Sequence, residues 1–225
     1  MNGIQMQPPL PTAPSERQVH WQGVYTTKDP TAVSWFQAAP TPSLELIQGL
    51  DLSAHAQMVD IGGGTSALAG ALLVQGLDIT VLDIAPAALA YAQARLGEAA
   101  QQVQWVAADI LDAEQLAEHL APGSVEIWHD RAVFHFLHGD ERLQYVEAAA
   151  RAVAPGGYAI IGTFAPDGPE RCSGLSVRRY SAEALAEMFA PAFQLVSAQR
   201  HEHITPGGSV QAFTFVTLQR TAGPA

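Results

Sequence analysis

A chain of 225 residues, 48% hydrophobic and 15% charged, has the length and apolar content for one domain with a full core. Its 22 acidic residues against 11 basic ones give a formal net charge of −11 and leave no basic stripe to displace counterions, so no nucleic-acid partner is expected. Lys28 is the only lysine and Cys172 the only cysteine, which excludes a P-loop, a Tyr-x-x-x-Lys dehydrogenase site, an intrachain disulfide and a thiolate metal cluster.

In chain order, Pro8, Pro9, Pro11 and Pro14 among polar residues predict an extended or disordered leader over residues 1–18, ahead of one domain over 19–225. Nothing in it has the charged and apolar regions of a signal peptide, and no apolar run reaches membrane-spanning length. A soluble, cytoplasmic protein with no membrane partner is therefore expected. Residues 19–57 bring Trp21, Tyr25, Trp35 and Phe36 together before the first strand. This segment reads either as a helix packed over a sheet edge or as a lid over a ligand. Ser43 stands where its hydroxyl can cap a short helix containing Leu44, Leu46, Ile47 and Leu50.

From Met58 onward, strands and helices alternate. Strand one ends at Ile61, a helix over 66–75 stops at Gly76, and strand two runs from Leu77 to Leu82 with Asp83 at its end. Pro86 opens a helix to Leu96, closed by Gly97. Strand three is Val103–Ala107, Asp112 starts a capped helix, and strand four reaches His129-Asp130. A helix capped by Asp140 leads through Ala154-Pro155-Gly156-Gly157 into strand five, Tyr158–Thr163, which closes a core of residues 58–163. Residues 164–225 hold a long Gly/Pro-rich loop, a helix capped by Ser181, and two successive strands, Phe193–Ala198 and Val210–Leu218, with no helix between them. That pair predicts a hairpin, and hence one antiparallel strand on an otherwise parallel, doubly wound α/β sheet of seven strands.

The organising stretch is Met58-Val59-Asp60-Ile61-Gly62-Gly63-Gly64-Thr65-Ser66, a strand, a glycine turn and a helix start. Such a corner lets backbone approach a nucleotide-like cofactor closely, beside the free N–H groups of a helix N-terminus. Gly62, Gly64 and Ala67 fit a dinucleotide fingerprint, while Val59-Asp60-Ile61-Gly62-Gly63-Gly64 fits an adenosyl-methionine corner. Four strand ends carry an acid at or just beyond them: Asp60, Asp83, Asp109 and Asp130. Carboxylates around a pyrophosphate repel it, whereas around a sulfonium and an ammonium they attract.

These motifs, in this order, resemble the class I S-adenosyl-methionine-dependent methyltransferase family from about residue 19 to 219. The resemblance implies S-adenosyl-L-methionine as cofactor, admitted by Gly62 and Gly64 beside Asp60. It implies that Asp83 holds the ribose hydroxyls and Ile84 lies against the adenine, with Asp109 accepting from the adenine amino group and Ile110 on the ring. Tyr25 and Trp35 of the aromatic segment are the lid residues expected to touch the cofactor. Ser66 departs from the family, many of whose members have a third glycine there.

On the acceptor side, Val133-Phe134-His135-Phe136-Leu137 looks like a segment of small-molecule methyltransferases, including those acting on thiols and metalloid oxyanions. Asp130 and His135 are the candidate catalytic bases, with His129 and His138 behind them. A small, soft acceptor is favoured: a thiol, a selenium or tellurium species, or a related molecule. A protein lysine methyltransferase is the alternative, since the aromatic segment resembles those enzymes, and a non-catalytic cofactor-binding module is a further one. Arg171, Arg178 and Arg179 are candidates for an anionic acceptor, Cys172 for contact with a soft one, and His201 with His203 for a zinc pair, although no metal site is expected.

Overall fold

Strand β1 (Gln57–Ile61) alternates its side chains between two hydrophobic cores, and this alternation makes it the centre of the molecule. Val59 and Ile61 face one core and Met58 the other, all at most 2% exposed. The computed structural model describes residues 13–222, so most of the leader, residues 1–12, lies outside the described residues.

A helix, α1 (Glu16–Thr27), opens the described chain, with the Ser15 hydroxyl accepting from the Gln18 N–H at 3.2 Å. It begins inside the stretch expected to be leader, because Ser15 supplies the cap there. Helix α2 (Ser43–Gln48) follows, then β1, α3 (Leu68–Leu73), β2 (Asp78–Asp83), α4 (Pro86–Leu96), β3 (Val103–Ala107), α5 (Ala113–His119) and β4 (Val125–Arg131). A single 3-10 turn over Phe134–Phe136 separates β4 from α6 (Glu141–Ala152). Beyond it come β5 (Val153–Phe164), a small hairpin of β6 (Arg171–Cys172) and β7 (Leu175–Ser176), α7 (Ala182–Phe189), β8 (Phe193–Ile204) and β9 (Val210–Arg220).

The seven-stranded sheet runs β3-β2-β1-β4-β5-β9-β8, with parallel pairing from β3 through β5. β9 is antiparallel to both of its neighbours, so the sheet is mostly parallel with one reversed strand, as the terminal hairpin predicts. One face packs Leu116 of α5, Tyr145 and Ala149 of α6, and Leu185 and Phe189 of α7; the other packs Ile47 of α2, Leu68 and Leu72 of α3, and Leu89 of α4. Trp128 sits fully buried in the first core and donates its indole N–H to the Tyr145 hydroxyl at 2.8 Å. Burial of a side chain of that size stabilises by roughly 2–3 kcal/mol, and the hydrogen bond removes the cost of hiding its N–H.

The strand order reverses between β1 and β4. In an open α/β sheet, the crevice beyond the carboxyl ends at such a switch is where ligands bind. The glycine turn after β1, Asp83 at the end of β2, Asp109 after β3 and Arg131 at the end of β4 therefore converge there.

Candidate functional site

The floor of the crevice is the glycine turn. Gly62 and Gly64 have φ of 63° and 47°, left-handed conformations in which a side chain is strained. A Cβ on Gly62 would lie 2.1 Å from Val133 Cγ2, and one on Gly64 would meet the Tyr25 hydroxyl at 3.0 Å and Asp83 Oδ2 at 3.1 Å. The backbone thus borders the cavity with no atom to spare. The Ser66 hydroxyl accepts from the Leu68 N–H at 3.1 Å and helps start α3, a use that a glycine at this position would not supply.

Asp60 is buried beneath this turn. Its Oδ1 is 2.7 Å from His129 Nδ1, and His129 Nε2 is 2.8 Å from the Ser43 hydroxyl. With a neutral imidazole, Nδ1–H donates to the carboxylate and Ser43 donates to Nε2. Ser43 is the first residue of α2 and makes no capping bond there, so the sequence expectation of a Ser43 cap is corrected: its hydroxyl ties α2 to the sheet. His129, a minor catalytic candidate, is the middle of that tie.

Asp83 and Ile84 line the cavity. Asp83 accepts from the Ala85 N–H at 2.8 Å and from the Gly64 N–H, yet burial, with Asp60 nearby, pushes its carboxyl up to about 7. The Tyr25 phenol is held well above its usual range by burial and by Asp83. Asp109 and Ile110 line the same wall. Asp109 accepts from the Leu111 N–H at 3.0 Å and meets Arg17 Nη1 at 3.3 Å, while Arg17 Nη2 reaches Glu141 at 2.5 Å. Arg17 thereby fastens α1 across the end of β3. Trp21, Tyr25 and Trp35 roof the cavity; the Trp21 ring meets Phe136 edge-on at 5.1 Å and Trp35 at 6.0 Å.

All nine residues expected to hold the cofactor border this crevice: Tyr25, Trp35, Gly62, Asp83, Ile84, Asp109 and Ile110 line its main chamber, Asp60 lines the adjoining recess, and Gly64 abuts Tyr25 and Asp83. The donor set suits a nucleoside carrying a positive charge: two carboxylates on one wall, an apolar slot beside each, and a glycine floor.

The two expected bases are elsewhere. Asp130 is fully buried, and its carboxylate accepts from the Val133 N–H at 2.8 Å, the Phe134 N–H at 2.9 Å and the Tyr145 hydroxyl at 2.5 Å. Burial pushes this carboxyl up to about 6, and no edge of it lines the cavity. It shapes the loop after β4 instead of receiving a proton from an acceptor. His135 is fully buried against Phe136 and Phe164, and the Phe164 N–H points at its Nδ1 at 3.4 Å. Burial, then Arg131, drive its pKa down to about 3. Sequence alone did not tell which residues of the Val-Phe-His-Phe-Leu segment turn inward, because a 3-10 turn has neither the period of a helix nor that of a strand. Val133, Phe136 and Leu137 line the cavity; Phe134 and His135 are buried away from it.

Two other groups face it that sequence reasoning missed or left open. Arg131, the last residue of β4, borders both the main chamber and the recess. Ala132, at φ 76°, donates its N–H to the Gly162 carbonyl at 2.8 Å and turns the chain sharply after it. The available signal was position: Arg131 directly follows a strand-end acid at the switch. Cys172, on β6, is 7% exposed and lines the chamber, with burial pushing its thiol up to about 11. Arg171, Arg178 and Arg179 are exposed, and Arg179 pairs with Glu170 at 3.1 Å. His203 Nε2 is 2.7 Å from the Ser34 carbonyl and His201 lies edge-on to Phe215. No group of three or more metal-binding side chains occurs among the described residues.

Residues 59–159 match the family model described as a methyltransferase domain. No curated protein sequence matches the chain. Among solved structures, one from work on the conversion of a disulfide bond into a thioacetal group during echinomycin biosynthesis has a TM-score of 0.73 at 20% identity, covering 93% of this chain and 95% of that one. A methyltransferase from Anabaena variabilis, dependent on S-adenosyl-methionine, has a TM-score of 0.71 at 15% identity, covering 92% and 96%. The Burkholderia thailandensis 1,6-didemethyltoxoflavin-N1-methyltransferase, with its substrate and S-adenosylhomocysteine bound, has a TM-score of 0.64 at 22% identity, covering 96% and 94%.

Proposed function

We propose that this chain, a class I methyltransferase with S-adenosyl-L-methionine as its cofactor, methylates a small, soft nucleophile such as a thiol, a selenium or tellurium species, or a related molecule. One observation carries the reading: a single chamber, walled by Trp21, Trp35, Phe136, Val133 and Cys172, adjoins Asp83 and Asp109 and contains no imidazole. An acceptor that ionises by itself, or attacks while neutral, has no need of a built-in base. Two of the similar structures come from small-molecule chemistry, one from disulfide-to-thioacetal conversion and one a 1,6-didemethyltoxoflavin-N1-methyltransferase, which supports a small-molecule acceptor.

When bound, the cofactor supplies an electrophilic methyl group on a sulfonium. In this reading Gly62 and Gly64 admit its backbone-like end, Asp83 accepts from the ribose hydroxyls and Asp109 from the adenine amino group, with Ile84 and Ile110 on the ring. Asp109 then exchanges Arg17 for a neutral donor, or shares itself between the two. Tyr25 and Trp35 keep water from the reacting centre, and the aromatic walls hold the acceptor in line, so that positioning supplies much of the acceleration. The chamber's residues would hold the acceptor's lone pair in line with that methyl group, and with no imidazole lining the chamber any proton on the acceptor would be lost to solvent.

The test is a screen of arylthiols, alkylthiols, selenols, tellurite, amines and lysate proteins, read by release of homocysteine from the spent cofactor. Turnover of thiols or selenols above that of amines is expected. Labelling of a lysate protein with no small-molecule turnover would hand the function to the lysine alternative, and cofactor binding without turnover of anything would leave a binding module.

A further inference from the structure

Arg131 ends β4 with the two edges of its guanidinium in different states. Nη1 donates to the Trp35 carbonyl at 3.1 Å, and the guanidinium carbon stands 5.0 Å from the centroid of Phe213, over its face. Nε and Nη2, which form the other edge, are both closed to solvent and have no hydrogen-bond partner. Among the described residues no carboxylate forms an ion pair with Arg131. Burial lowers its pKa to about 10, so the group is still a cation at neutral pH.

A buried cation with two donors that no protein group satisfies is costly, so a water or a ligand must complete them. The idle edge has a definite shape. Nε–H and Nη2–H point the same way, a fork that matches the two oxygens of a carboxylate or another flat pair of acceptors. The walls beside the fork are flat as well, with Trp21, Trp35 and Phe136 bordering the same chamber. Of the charged groups at this chamber, Asp109 is already paired with Arg17 at 3.3 Å and the Asp83 carboxyl is raised to about 7, which leaves Arg131 as the cation with no carboxylate partner among the described residues. An anion entering this chamber is drawn to that unpaired arginine.

Resting on the small-acceptor reading above, we propose that the acceptor is a flat anion, an aromatic or heteroaromatic ring bearing a carboxylate, whose two oxygens take the Nε/Nη2 edge of Arg131. The ring then lies among Trp21, Trp35 and Phe136, and the nucleophilic atom is carried on the ring, directed toward the glycine turn. Arg131 is thus a specificity-determining residue: it selects acceptors by an edge remote from the atom methylated. The rival occupant is the cofactor's own carboxylate, since Arg131 also borders the recess beside Thr65 and Ser66.

The experiment uses the whole chain saturated with S-adenosylhomocysteine. Calorimetry and tryptophan fluorescence measure the binding of benzoate, salicylate, 2-mercaptobenzoate and indole-2-carboxylate against the matching amides. Acids should bind about tenfold tighter than amides in the wild type, with the preference gone in Arg131→Met and mostly lost in Arg131→Lys, which keeps the charge without the fork. Affinity for S-adenosylhomocysteine should be the same in all three proteins, which also reports that the variants are folded. Acids and amides binding alike to the wild type, or no acid binding at all, would overturn the anionic acceptor while leaving the methyltransferase reading intact. A loss of S-adenosylhomocysteine affinity in Arg131→Met, with methylthioadenosine unaffected, would assign the fork to the cofactor's carboxylate and overturn it too. A wild type that binds no S-adenosylhomocysteine would bring down both readings.

Discussion

Asp130, near the end of β4, and His135, in the 3-10 turn that follows it, are both fully buried and committed to the fold. Asp130→Ala strands the Tyr145 hydroxyl and the N–H groups of Val133 and Phe134, so it should cost about 3 kcal/mol of stability, measured by denaturant titration. A stable, inactive Asp130→Ala protein would restore the catalytic role. The imidazole of His135, with its pKa driven down to about 3, is neutral through the working range. Replacing it with alanine should therefore leave the shape of the pH–rate profile unchanged, while a lost limb near neutrality would mark it as a base. Asp83 behaves differently. Its carboxyl, raised to about 7, is protonated in part in the free protein, while ribose hydroxyls bind best to the ionised form. Affinity for S-adenosylhomocysteine should thus fall roughly tenfold from about pH 8 to about pH 6, with proton release on binding, and Asp83→Asn should abolish the dependence. The same raised pKa means that Asp83 binds more protons folded than unfolded across about pH 4 to 7, so its contribution to stability declines as pH rises through that window.

At the scale of elements, α1 is the helix that faces the crevice. It brings Arg17, Trp21 and Tyr25 to the chamber and is fastened there through Asp109 and Glu141. Cofactor binding should slow amide exchange over Glu16–Thr27, and Arg17→Ala should speed it in the free protein; equal exchange with and without ligand would reduce α1 to static packing. The alternation of strands and helices was legible because buried parallel strands and Gly- or Pro-punctuated helices leave local marks, as at Pro86 and Gly97 around α4. The acidic wall of the crevice was legible for the same reason, since each of its acids stands at or just beyond a strand end. The loop after β4 was not. Which residues of Val133–Leu137 point inward depends on a single 3-10 turn and the left-handed Ala132, neither of which leaves a period in the sequence. Arg131 was hidden likewise, because a guanidinium with an idle edge is a fact of tertiary packing. Ser43 misled because a serine before a helix usually caps it, and here His129 claimed the hydroxyl.

Over the whole molecule, the reversal of strand order at β1 and β4 gathers residues spread from Arg17 to Cys172 into one crevice. The chain's formal charge of −11 places the burden of holding any anion on a few local groups; of the two arginines at the chamber, Arg17 is paired with Asp109 and Glu141, and Arg131 has no carboxylate partner among the described residues. The same acids bear on the proposed cofactor, since a pyrophosphate would meet Asp83 and Asp109 at close range. The most direct measurement is calorimetric titration of the wild type and Asp83→Ala with S-adenosylhomocysteine and, separately, with NAD. The account requires tight S-adenosylhomocysteine binding by the wild type, a loss of about 30-fold or more in Asp83→Ala from the missing charge-assisted acceptor, and no NAD binding by either. Unchanged affinity in Asp83→Ala, or tight binding of NAD, would contradict it.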